Sequence, residues 1–102
     1  MLTSKQRHHL SSLSQTLPAL MAVGRAGESD GIADRLDQLL GAHELVKLRF
    51  GDFKDEKTAI VQSLAEKTGS ELVRIIGNTA IFFRLNPDPE KRKIDLDFSA
   101  QE

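Results

Sequence analysis

Leu2, Leu10, Leu13 and Leu17 recur at helical spacing while Lys5, His8, His9 and Ser12 fall on other faces, which predicts an amphipathic helix starting near Thr3 or Ser4. Pro18 is expected to end it. Residues 19–23 are a short apolar run of strand length, closed by Gly24-Arg25-Ala26-Gly27, after which Ser29 or Asp30 can cap a helix that buries Ile32, Leu36, Leu39 and Leu40. Residues 44–50 alternate, with Val46, Leu48 and Phe50 on one side and Lys47 and Arg49 on the other, as in a strand half covered by core. Leu45 interrupts that alternation. A polar loop leads to a third helix whose buried stripe is Ile60, Val61, Leu64, Ala65 and Thr68, with Gly69 suited to its C-terminal cap. Residues 71–76 and 79–85 are β-rich and separated by Gly77-Asn78, a two-residue hairpin turn of type II′ or I′.

Asn86-Pro87-Asp88-Pro89 breaks regular structure, because proline withholds a backbone donor and pushes the residue before it out of the helical region. One domain over residues 1–86 is expected, followed by a tail, 87–102. In the tail Ile94, Asp95, Leu96, Asp97 and Phe98 alternate and can either add an edge strand or stay loose. The order is α-β-α-β-α-β-β without internal repeats. This predicts an α/β two-layer sandwich in which helices cover the apolar face of a four-stranded mixed sheet and the other face is open to function.

Composition narrows the classes. The 102 residues suffice for one core, and 39% hydrophobic with 28% charged residues is the balance of an ordinary globule. Fourteen Lys and Arg against fifteen Asp and Glu give a net charge of −1, so any polyanion site must be a local patch. The charge is unevenly spread: residues 1–27 carry Lys5, Arg7 and Arg25 with no acid, and residues 28–42 carry Glu28, Asp30, Asp34 and Asp37 against Arg35. Cysteine is absent, which removes thiol chemistry and cysteine zinc sites. Residues 10–24 are uncharged but too polar for an export signal and too short for a bilayer span. A cytoplasmic protein is expected.

Catalytic constellations are hard to assemble from these residues. His8 and His9 are adjacent and diverge by about 100° on a helix, so they do not form a zinc-ligand pair. His43 lies at a helix-to-strand junction with no nucleophile elbow in the chain. The pairs Asp55-Glu56 and Asp95-Asp97 fall at a helix start and in the tail. An enzyme, a metal site and a cofactor are therefore not expected. The glycine turn is more suggestive. Gly-x-x-Gly between a strand and a helix lets backbone approach a phosphate without a Cβ clash, although the middle glycine of a dinucleotide fingerprint and the Lys-Ser/Thr of a P-loop are missing. The remaining precedent is the GXXG loop that clamps nucleic-acid backbone. Trp and Tyr are absent and Phe50 and one of Phe82 and Phe83 belong in the core, so base stacking cannot be extensive. Recognition must rest on phosphate, sugar and shape.

Several of these segments together resemble the CRM (chloroplast RNA splicing and ribosome maturation) family, especially its free-standing bacterial YhbY-like members. The resemblance covers about residues 2–85 and rests on four stretches. These are the Leu-rich first helix with Lys5 and Arg7; Val23-Gly24-Arg25-Ala26-Gly27; His43-Glu44-Leu45-Val46-Lys47-Leu48; and Ile76-Gly77-Asn78-Thr79-Ala80-Ile81 with Phe83-Arg84. The family usually carries a basic residue after the first glycine, here Arg25, and a Glu-Leu-Val/Ile-Lys-Val run, here ending in Leu48. It departs after Gly27, where Glu28-Ser29-Asp30-Gly31 replaces an apolar residue and Thr or Ser. The resemblance implies a fold similar to the C-terminal domain of translation initiation factor three, RNA bound near the glycine loop, and an association with precursors of the large ribosomal subunit.

The function expected from these readings is a non-catalytic RNA-binding protein that docks on precursor ribosomal RNA and assists large-subunit assembly. Its expected contacts are Gly24, Arg25, Ala26 and Gly27, with Lys5, Lys47 and Arg84 as outlying ones. The expected partner is ribosomal RNA or a precursor large-subunit particle; the chain is expected to act as a monomer with no small-molecule substrate and no membrane. The alternative is a protein-interaction module that joins a ribosomal or other complex through its sheet edge or its C-terminal tail.

Overall fold

A computed structural model describes residues 2–23, 30–51 and 57–94. The element order is α1 (Ser4–Ser14), β1 (Met21–Val23), α2 (Asp30–His43), β2 (Leu45–Phe50), α3 (Lys57–Thr68), β3 (Glu71–Ile76) and β4 (Thr79–Phe83), followed by a short 3-10 turn (Pro89–Lys91). The four strands form one mixed sheet in the order β1-β2-β4-β3, with β1 parallel to β2 and the other neighbours antiparallel. This is the α/β architecture that the hydrophobic pattern implies.

Local chemistry explains the boundaries. Thr3 caps α1 in a reciprocal box: its hydroxyl accepts the Gln6 N–H at 3.1 Å, and its own N–H donates to the Gln6 side chain at 2.9 Å. The helix stops at Ser14, earlier than Pro18 alone demands. The chain tightens through bonds from the N–H groups of Gln15, Thr16 and Leu17 to carbonyls three residues back. Leu13 and Leu17 are consequently exposed, and Leu10 is the one leucine of that stripe that is fully buried. Gly69 closes α3 at φ 63°, and Gly77 has φ 57° while Asn78 does not enter the left-handed region, which makes the hairpin turn type II′.

The sheet is apolar on both faces at one end. On the first face, α2 and α3 pack Leu36, Leu40, Val61 and Leu64 onto Val46, Leu48, Ala80 and Phe82. On the second face, Leu10 of α1 sits among Leu45, Val73, Ile81 and Phe83. The run from Ala80 to Phe83 is buried throughout, as in a strand covered on both sides. So α1 adds a partial third layer where the sequence suggested an open face. It is also the reason Leu45 breaks the alternation of β2: that side chain belongs to the α1 layer.

The two ends of the second face differ. Helix α1 crosses it where Leu45 pairs with Phe83, and Arg7 fastens the helix to the outer edge of β3. The Arg7 guanidinium donates to the carbonyls of Leu72 and Val73 and to the Glu71 carboxylate at 2.9 Å. Those edge carbonyls would otherwise lack a strand partner. Toward the other end of the sheet, past Ile81, no helix among the described residues covers this face.

The segment after Asn86 is held to the domain through Glu44. This buried residue adopts φ 65°, and its carboxylate accepts the backbone N–H groups of Asn86 (2.7 Å), Lys93 (2.7 Å) and Ile94 (3.3 Å). Ile94 packs against the α1 cluster. Residues 95–102, where the sequence suggested an edge strand or a loose end, lie outside the described residues.

Candidate nucleic-acid interface

The direction of each cation follows from strand register. Opposed residues in a sheet share a face. Lys47 pairs with Ile81 and Ile81 with Arg74; Arg49 pairs with Ala22 and Thr79, and Thr79 with Ile76. Ile81 faces α1, so Lys47, Arg49 and Arg74 all rise from the second face: Lys47 and Arg74 flank Ile81 at the margin of α1, and Arg49 stands beyond it in the uncovered half. Arg49 and Arg74 are exposed and Lys47 is half-buried. Neither Arg49 nor Arg74 is held by an acid among the described residues. The acid that belongs to this face, Glu71, lies under α1 and is paired with Arg7.

Arg74 reaches this face by unbroken pairing from the β3–β4 turn, and an irregularity lies just beyond it. The ladder between β3 and β4 shifts between Leu72 and Arg74, so Val73 and Arg74 both occupy the α1 side. Strict alternation counted back from Arg74 would instead turn Val73 and Glu71 away from α1. A β-bulge of this kind re-aims a side chain without any change of composition.

The residues expected from sequence divide into four groups. Lys47 lies on the open half-face, where its ammonium also donates to the Leu17 carbonyl at 3.0 Å and so anchors the segment between α1 and β1. Lys5 is exposed on α1, away from that half. Arg84 follows β4 with the opposite parity and turns toward α2: it donates to the Asp37 carboxylate at 2.5 Å, the Asp37 carbonyl at 2.9 Å and the Thr68 carbonyl at 2.8 Å. It cross-links the middle of α2 to the C-terminal end of α3 and does not converge with Lys47. Gly24, Arg25, Ala26 and Gly27 lie outside the described residues, as do Glu28 and Ser29.

The flanks of that glycine turn are nevertheless positioned. The chain leaves β1 at Val23, whose carbonyl accepts the Gly51 N–H at 3.0 Å, and Phe50 donates to the Asn78 carbonyl at 2.7 Å. The exit from β1, the end of β2 and the β3–β4 turn therefore meet at one end of the sheet. That is the end toward which the open half-face extends, with Arg49 one residue before Phe50.

Sequence reasoning set Arg49 beside Lys47 by alternation but carried neither Arg49 nor Arg74 into the site. Arg74 faces the same way because it has the parity of Ile76, which the two-residue turn sets opposite Thr79. On the first face the acid excess is confined to α2, which presents exposed Asp34 and Asp37 beside Arg35, while the open sheet is cationic.

The histidines do not join this surface. His9 and His43 border an apolar cleft of about 610 Å³ at the α1 end, together with Leu13, Leu17, Leu20 and Ile94. Among the described residues no group of three or more His, Asp or Glu side chains could hold a metal ion, and no helix is long and apolar enough to cross a membrane.

The profile of one family matches residues 2–84: the CRS1/YhbY (CRM) domain. The chain belongs to the CRM family. It is 31% identical over 91 residues to a protein of Pseudomonas aeruginosa named a probable RNA-binding protein, with 88% of each chain covered. It is 30% identical over 97 residues to the probable RNA-binding protein YqeI of Bacillus subtilis, covering 94% of this chain and 99% of the relative. The solution structure of a hypothetical protein from Staphylococcus aureus superposes on 93% of this CRM chain and 100% of its own length, with a TM-score of 0.77 and 28% identity.

Within the CRM domain, then, the Glu44-Leu45-Val46-Lys47-Leu48 run has a structural explanation at each position. Glu44 holds the following chain, Leu45 receives α1, Val46 and Leu48 fill the main core, and Lys47 points to the open half-face.

Proposed function

We propose that this CRM protein binds RNA without catalysis, docks on precursor ribosomal RNA and assists assembly of the large ribosomal subunit in the cytoplasm. One observation carries the reading. An uncovered, cationic half of the sheet extends to the end from which the Gly24–Gly27 turn departs, in a chain whose relatives are named RNA-binding proteins. Backbone N–H groups of a glycine turn and the Arg25 guanidinium suit phosphate oxygens, and Lys47 continues the contact onto the sheet. Lys5 is an outlying contact. Arg84 is committed to Asp37 and is the weakest of the expected contacts.

The test is sedimentation of the tagged chain in native lysate at low and at moderately high salt, with an RNase-treated control. Migration with large-subunit precursors that is lost in salt and after RNase supports the reading, since phosphate contacts weaken steeply with salt. Free sedimentation of the folded chain at both salts refutes it. The alternative, a protein-interaction module, draws on the apolar cleft in which Leu13, Leu17 and Leu20 are exposed. It requires association that resists both salt and RNase.

A further inference from the structure

The open half-face also restricts the form of RNA it fits. This step rests on the RNA-binding reading above.

Two strategies hold nucleic-acid backbone on a sheet. One stacks unpaired bases on exposed aromatic rings beside a row of cations; the other meets a duplex through phosphates, sugars and shape. The first needs rings, and among the described residues the rings, those of Phe50, Phe82 and Phe83, are all buried; Phe53 and Phe98 lie outside the described residues. Among the described residues, the strand side chains rising from the open half and its margin are Ala22, Lys47, Arg49, Arg74, Ile76 and Thr79, none of them aromatic.

The cations also span two directions. Lys47 and Arg49 are two residues apart on β2, about 7 Å along the strand. Lys47 and Arg74 lie in one cross-strand row, separated by β4, hence about 10 Å across the sheet. A single strand offers one line of phosphates. An A-form helix offers two lines that approach each other across its narrow major groove, and a triangle of cations with these edges can touch both. Thr79, between Arg49 and Ile76, adds a hydroxyl to a surface that otherwise presents charge and small apolar groups.

We infer that the RNA held by this surface is double-helical, with Lys47, Arg49 and Arg74 contacting phosphates of both strands across one groove. Arg49 and Arg74 thereby become RNA contacts, in addition to those expected from the glycine turn.

The experiment compares binding of the full chain to a fluorescent RNA hairpin with a stem of about 16 base pairs, the span of a typical duplex-binding domain, and to an unstructured RNA of equal length. R49Q and R74Q are tested beside R35Q, an exposed arginine on α2, with circular dichroism to confirm folding. The expected result is at least roughly tenfold tighter binding of the hairpin, a roughly threefold to tenfold loss for each of R49Q and R74Q, and native affinity for R35Q. Equal or tighter binding of the unstructured RNA overturns the inference while leaving RNA binding intact. Native hairpin affinity in both R49Q and R74Q overturns it as well. Failure to bind either RNA at low salt refutes this inference and the RNA-binding function together.

Discussion

The carboxylate of Glu44 accepts the backbone N–H of Lys93 at 2.7 Å, joining residues forty-nine positions apart. The other carboxylate oxygen takes the Asn86 N–H at the same distance, so one buried acid at the α2–β2 junction fixes both ends of the segment that follows β4. It does so from a left-handed backbone conformation that costs a non-glycine residue roughly 1–2 kcal/mol.

Replacing this acid separates the two effects. Glu44→Ala keeps the backbone strain and leaves buried N–H groups without an acceptor, and should cost about 2–4 kcal/mol. Glu44→Gly relieves the strain but loses the same acceptor, so it should be less destabilising than the alanine variant by about 1 kcal/mol. Urea unfolding of both variants checks the order. An alanine variant as stable as the native protein would show that the carboxylate bonds contribute nothing net.

Arg84 makes a contrasting prediction. Because its guanidinium joins Asp37 in the middle of α2 to the Thr68 carbonyl at the end of α3, Arg84→Ala should lower stability by about 1–2 kcal/mol, with a discount for its partly exposed ion pair. The salt dependence of RNA binding should stay as it was. A slope that falls by about 0.7 or more would instead make Arg84 a phosphate contact.

Arg25 should behave in the opposite way. Arg25→Glu is expected to leave unfolding unchanged within about 0.5 kcal/mol and to weaken binding of different RNA sequences alike, with the log–log salt slope reduced by about 0.7–0.9 for one lost phosphate. Loss confined to one RNA sequence would point to base readout.

Leu10 tests the attachment of α1. It is fully buried between the helix and the second face of the sheet, so Leu10→Ala should cost about 3 kcal/mol. Thermal unfolding reads the change as a fall in Tm of roughly 12–20 °C for a domain of this size. A shift of only a few degrees would mean that α1 contributes little to the folded core.

The agreement between sequence and fold has a simple physical origin. Period-two and period-3.6 patterns were strong where one face of an element is buried, as in residues 46–50 and in the Leu36–Leu40 stripe of α2. The II′ turn was legible because a positive φ at its first central position favours glycine. Signals failed where both faces are covered. Ile81 and Phe83 lie opposite Ala80 and Phe82, and nothing in that continuous apolar run states that α1 supplies the second cover. For the site, the face of Lys47 was legible from alternation, whereas the tie of Arg84 to Asp37 was not, because a partner 47 residues away leaves no periodic trace. The bulge was not legible either, since it changes the parity of residues 71–73 without leaving a residue type to mark it.

That bulge governs which side chains of β3 meet α1. Counted back from the II′ turn, unbroken pairing would keep Arg74 opposite Ile81 but set Val73 opposite Phe82, Leu72 opposite Phe83 and Glu71 opposite Arg84, so Val73 and Glu71 would leave the α1 side. The bulge lets Val73 stay against α1 and Glu71 beside Arg7 without moving Arg74. One extra residue thus decouples the docking of a helix from the placement of a surface cation on the same strand.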